Sequence, residues 1–153
     1  MIKAAKAIAT CGIGYMGKGG GSVAAAAYCV AWLFVATKIP VVWSIMIALA
    51  ILFLGTWSSA RVESVWGHDS SKVVVDEVAG MMITLAWTPV DIRYAVAGFV
   101  LFRFFDILKP LGIRKAEKLP GGWGVMGDDV LAGIYSFAIL QGFLFVSETK
   151  SPV

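Results

Sequence analysis

The chain has 153 residues, 59% of them hydrophobic and only 15% charged, with a formal net charge of +3. That length suits one domain, so residues 1–153 read as a single unit. The charged share is far below the roughly 25% of ordinary soluble domains, which excludes a water-soluble fold unless it exposes much apolar surface; a membrane is the expected partner, and nucleic acid is not.

The opening stretch, MIKAAKAIATCGIGYMGKGGGS, lacks the long apolar core and small-residue cleavage site of a signal peptide. Cys11 and Cys29 have no CxxC spacing, which argues against a zinc site or a disulfide framework. Gly17 stands where a cysteine-phosphatase loop beginning at Cys11 would need an arginine. From Gly19 to Thr37, and again from Ile39 to Ala60, no residue is charged, with Lys38 and Pro40 marking the turn between the two runs. Each run approaches the roughly 20 residues that cross a bilayer as a helix. Residues 71–90 are apolar except for Lys72, Asp76 and Glu77 near their start, and 94–110 except for Arg103, Asp106 and Lys109 near their end. A fifth apolar stretch, charged only at its beginning, starts at Asp128. The spacing predicts a compact, all-α, membrane-embedded bundle of about five helices.

Five helices joined by short turns alternate across the membrane. Lys3, Lys6, Lys18, Arg61, Lys72, Arg103, Lys109, Arg114, Lys115 and Lys118 then fall on the N-terminal side, against Lys38, Arg93 and Lys150 on the other. This bias predicts a cytoplasmic N-terminus. The same topology carries GKGGGS, HDSSKVVVDE, RFFDILKP and GGWGVMGDD to the cytoplasmic face, which is where the active site is expected. Asp76, Glu77, Asp106, Asp128 and Asp129 would repel one another there unless a cation held them, and ionisable groups in membrane segments usually face a bundle interior or wet cavity. Mg²⁺, which prefers one or two carboxylates together with phosphate oxygens and waters, is the expected cofactor.

Each cluster has a chemical and a structural reading. Asp76 and Glu77 are adjacent, so they diverge by about 100° on a helix; they serve a metal or merely a helix start, where the dipole favours acids. Gly80, four residues after Asp76, allows a close approach on the same face. Asp69, in the preceding loop, is a further candidate metal ligand, and His68 beside it has the chemistry of a general acid or base. Arg103, Asp106 and Lys109 form a stripe at three-residue spacing that Pro110 ends: a phosphate clamp, or an Arg103–Asp106 ion pair with Lys109 reaching the interface. The Gly121–Gly122 turn before Asp128 and Asp129 resembles a phosphate-cradling loop that opens a helix. Trp57, Trp66 and Trp87 fit interfacial anchoring.

Taken together and in order, VVVDEVAG, LFRFFDILKP and LPGGWGVMGDDVLAGIY resemble the phosphatidylglycerophosphatase A family, the likeness running from IATCGIGY to Tyr135. The resemblance implies an all-helical, Mg²⁺-dependent lipid phosphatase of the bacterial inner membrane that converts phosphatidylglycerophosphate to phosphatidylglycerol. It implies a catalytic set of Asp76, Glu77, Arg103, Asp106, Lys109, Asp128 and Asp129, with Gly80, Pro110, Gly121 and Gly122 in the same motifs. Gly21 and Ser22 match the family's early Gly-Ser and are read as substrate-binding, with Arg103, Lys109, Gly121 and Gly122. The family's proline-containing turn is replaced here by GKGGGS, so Lys18 has no family role; it is expected to touch a phosphate or head group. The competing classes are a small cation transporter, which should carry acids at the midplane and on both sides, and another lipid-phosphate enzyme using the same carboxylates.

Overall fold

A computed structural model describes residues 1–67 and 70–149 of the chain. Among these residues there are seven α-helices, two single-turn 3₁₀ helices and no strand. The five expected apolar segments appear as α2 (Gly20–Val35), α3 (Val41–Trp66), α4 (Val75–Thr84), α5 (Ile92–Leu108) and α7 (Gly122–Thr149). Two short helices are additional: α1 (Ile2–Thr10) and α6 (Ile113–Ala116). α1 buries Ala5, Ala9 and Thr10 and packs along α3.

By length and composition, three of these helices can cross a membrane: α2 with its 3₁₀ extension to Lys38, α3 and α7. The expected uniform crossing over residues 71–90 is not what forms. α4 has ten residues, about 15 Å at 1.5 Å per residue, and the apolar run continues from Leu85 to Val90 as turn and irregular backbone. Such backbone survives beside lipid only when protein groups satisfy it. Here Gln141 of α7 does so, its Nε2 donating to the Ala86 carbonyl at 3.1 Å and to Thr88 Oγ1 at 3.2 Å.

α4 is the hub. It contacts α2, α3, α5 and α7, the last most extensively. One core cluster joins Ala25 and Trp32 of α2, Met81 of α4, Phe102 of α5 and Ala132 of α7. A second joins Ala5 and Ala9 of α1, Val62 of α3, Val75 and Ala79 of α4 and Met126 of α7. The α4–α7 crossing is close because it is built on glycines. A Cβ on Gly80 would meet the Phe102 ring and the Asp129 carbonyl, and one on Gly133 the Gly80 backbone. The segment entering α4 is tied down as well, since the Val74 N–H donates to the Ala9 carbonyl at 2.9 Å.

Candidate active site

The first turns of α2 and α4, the second turn of α7 and the end of α5 meet around a polar cavity of about 320 Å³. Its lining includes Gly21, Ser22, Asp76, Glu77, Arg103, Asp106, Lys109, Asp128 and Asp129, so nine residues singled out from sequence converge on one place. Gly17, Gly19, Gly20, Ser70, Ser71, Val73 and Ile107 complete it. Ser70 and Ser71 were not foreseen, since a pair of loop serines carries no spacing signal of its own.

The acids divide into two kinds. Asp76, Glu77 and Asp129 each offer an oxygen, and these oxygens lie within 4.8 Å of one another. The 100° divergence expected of Asp76 and Glu77 does not separate them, because a flexible glutamate can bend back across that angle. Neither acid caps α4, whose N-cap is Val74 with no side-chain hydrogen bond. Among the described residues, Asp76 Oδ1 and Glu77 Oε2 are buried without a hydrogen-bond partner. Orphaned anionic oxygens at this depth are costly, and a hard cation suits such a donor set.

Asp106 and Asp128, expected in the same metal set, lie against the basic groups. Arg103 Nη1 lies 2.5 Å from Asp106 Oδ2 and 3.9 Å from Glu77 Oε1. The close contact lies off the N–H axis: Nη1 and Nε of Arg103 are buried and make no hydrogen bond among the described residues. The guanidinium is therefore paired in charge yet keeps donors to offer. Lys109 Nζ donates to Asp128 Oδ2 at 2.6 Å and lies 3.4 Å from Glu117, a partner the sequence did not suggest. Lys109 is also not the last rung of a helical stripe. α5 ends at Leu108, and Lys109 is its cap in the left-handed region at φ 47°, which swings the side chain towards α7.

Two further expectations change. The glycine-rich turn does not open a helix at Asp128, because α7 already begins at Gly122, and both acids sit inside its second turn. Gly121 and Gly122 are not among the residues lining the cavity. Gly122 is instead a packing glycine, where a Cβ would strike the Thr56 carbonyl of α3. The glycine-rich helix start that does face the cavity is that of α2, capped by Gly19 at φ 97°. The Gly20 amide donates to the Gly17 carbonyl at 2.9 Å, which leaves the Gly21 and Ser22 amides as the first-turn donors with no carbonyl one turn back. A Cβ on Gly21 would collide with the Glu77 carboxylate. Lys18 is exposed between two lining glycines but does not itself line the cavity. His68 and Asp69 lie outside the described residues. Cys11 is exposed at the surface, yet desolvation by the surrounding protein, then the negative charge of Glu77, push its thiol up from its ordinary value, the reverse of what an activated nucleophile needs.

The sequence model of the family described as phosphatidylglycerophosphatase A matches residues 7–144. A Bacteroides thetaiotaomicron protein provisionally named phosphatidylinositol-3-phosphatase is 53% identical over 98 residues, covering 61% of this chain and 62% of the relative. Proteins named phosphatidylglycerophosphatase A from Haemophilus influenzae and Escherichia coli are 49% and 45% identical over 75 residues. Those alignments cover 48% of this chain, and 46% and 44% of the two relatives. The chain thus spans between about two fifths and three fifths of the curated relatives' length. No solved structure matches it.

Proposed function

The chain belongs to the phosphatidylglycerophosphatase A family, and on that premise we propose that it hydrolyses the terminal phosphomonoester of phosphatidylglycerophosphate, releasing phosphate and phosphatidylglycerol, with Mg²⁺ as cofactor. The observation that carries this reading is the single cavity in which three mutually close carboxylates meet Arg103, Lys109 and the amino end of α2. Five acids would repel a bare phosphate, so a cation has to stand between some of them and the substrate. Asp76, Glu77 and Asp129 are the residues that would hold it. Bound there, Mg²⁺ would polarise phosphoryl oxygens and acidify a water.

The chain's own groups do the rest. Arg103, with spare N–H donors, neutralises charge gathering on the phosphoryl oxygens, while Asp106 keeps its guanidinium oriented. Lys109 is held at the rim by Asp128 and Glu117, and supplies a compact positive charge. Gly21 and Ser22 turn the first amides of α2 towards an anion. A transporter reading is less well supported, because these acids gather at one end of the bundle. The charge bias supports placing that end at the cytoplasmic face of a bacterial inner membrane.

The name of the Bacteroides relative points to a different head group bearing the same chemical unit, a phosphomonoester on a lipid. The test is phosphate release by the purified protein from phosphatidylglycerophosphate and, in parallel, from phosphatidylinositol-3-phosphate, each with Mg²⁺ and with EDTA. Release from the first substrate that EDTA abolishes is the expected result. Preference for the inositol lipid would reassign the substrate, and no release from either would overturn the reading.

A further inference from the structure

Below the polar cavity lies a second space, an apolar groove of about 810 Å³, within the roughly 300–1,000 Å³ of ordinary ligand sites. Among the described residues no charged one lines it, and Tyr28, Ser44 and Thr88 bring the hydroxyls. The groove exists because α2 and α3, although joined by a short turn, barely touch along their lengths. Tyr28 and Trp32 form one wall, Ala48 and Leu52 the other, and the non-helical stretch at Ala86–Thr88 closes the far end.

The two spaces are lined from the same helices α2, α4 and α7. Glu77 lines the polar cavity and Val78 the groove; Asp129 lines the cavity and Val130 the groove. From there the groove follows Met82 and Ile83 down α4, and Ile134 and Phe137 down α7. α4, with ten residues, is about 15 Å long, half of a hydrocarbon core of roughly 30 Å. A chain lying beside it would run from the carboxylates to mid-membrane. Three of the four helices that line the groove are those apolar and long enough to cross a bilayer, so its mouth between α2 and α3 opens into hydrocarbon.

The geometry points to this groove as the seat of an acyl chain of the same lipid whose phosphate the polar cavity takes. The inference rests on the proposed lipid-phosphatase reading and adds to it a second binding site for the substrate. Anchoring the tail along α4 fixes how far the head group can rise, and so sets the phosphate at the level of Asp76, Glu77 and Asp129.

The test uses the full chain in phosphatidylcholine nanodiscs containing Mg²⁺ and a trace of phosphatidylglycerophosphate with a diazirine midway along one acyl chain. Photolysis should place adducts on Met82, Ile83 and Ile134, and unlabelled phosphatidylglycerophosphate should remove them. Phosphatidylcholine carrying the same diazirine should instead mark outward residues such as Phe34 and Phe145, which are 68% and 70% exposed. Ala31→Trp, on the exposed wall of α2, should abolish the groove adducts while the unfolding temperature holds; Ala48→Trp, on the α3 wall, is the second variant. Adducts of the phosphate-bearing lipid spread in the same pattern as those of phosphatidylcholine would overturn the groove assignment, whatever the turnover. Competed groove adducts without any phosphate release would keep the groove and overturn the phosphatase reading instead.

Discussion

Gly80→Ala should loosen the bundle and weaken metal binding together. A Cβ at this position would lie 2.8 Å from the Asp129 carbonyl oxygen and 2.8 Å from Phe102 Cζ, with another atom of that ring nearer still. Neither neighbour yields easily, because one is helix backbone and the other a fully buried ring. Overpacking of this kind costs about 1–3 kcal/mol, offset by about 1 kcal/mol from replacing glycine by alanine inside a helix. A net loss of up to about 2 kcal/mol lowers the unfolding temperature by up to roughly 8 °C for a chain of this size. Relief comes by α7 moving off α4, which carries Asp129 away from Asp76 and Glu77. The Mg²⁺ concentration for half-maximal phosphate release should therefore rise. Gly142→Ala is the internal control: it is also in α7 but has nothing within 4 Å of its added carbon, so only the gain of up to about 1 kcal/mol should remain. Scanning both variants in one detergent at one heating rate, with and without Mg²⁺, reads the difference. A Gly80→Ala protein as stable as Gly142→Ala, with unchanged Mg²⁺ dependence, would show that the α4–α7 crossing does not set the site's geometry.

Arg103→Lys keeps the charge and loses the planar fork; turnover should fall by roughly 10²–10³, equivalent to about 2.7–4 kcal/mol of transition-state stabilisation, with Mg²⁺ affinity unchanged. A destabilised but fully active variant would reduce Arg103 to a structural partner of Asp106. Glu77→Gln and Asp129→Asn should each abolish Mg²⁺-dependent phosphate release and leave the protein folded; near-normal turnover at limiting Mg²⁺ would remove that residue from the metal set. Lys109→Met leaves Asp128 without its 2.6 Å partner. Since Lys109 is partly exposed, the stability lost should reach no more than the lower end of the ~3–5 kcal/mol found for broken buried pairs, read by thermal unfolding. A single cysteine placed in the 112–118 loop, in a background lacking Cys11 and Cys29, should resist an impermeant thiol reagent added outside intact cells; ready labelling would invert the orientation.

The site was largely legible in sequence because charge is rare here. In a chain with so few ionisable residues, Asp76, Glu77, Arg103, Asp106, Lys109, Asp128 and Asp129 stand out at helix ends, and a parity argument on helices carries those ends to one face. Hydropathy could not show that residues 85–90 leave the helix, since an apolar run reads alike whether it is helical or folded back under a neighbour. The glycines were ambiguous for a related reason. Gly122 and Gly21 are the same letter, yet one lets α7 press on α3 and the other lets α2 close on Glu77. The pairing of Asp128 with Lys109 was also hidden, because it depends on the left-handed turn at Lys109 that aims its amine at Asp128.

The hydrogen bonds from Gln141 to Ala86 and Thr88 bear on the order in which the protein is made. The stretch between α4 and α5 is synthesised some fifty residues before the side chain that satisfies it. Until then, the Ala86 carbonyl and the Thr88 hydroxyl have only each other, at 3.4 Å, and are poorly suited to hydrocarbon. The early helices can insert singly, but this stretch cannot settle until α7 arrives beside it. Integration of this stretch therefore waits on the synthesis of α7, and a chain truncated before position 141 should be held at the translocon or degraded rather than accumulate in the membrane.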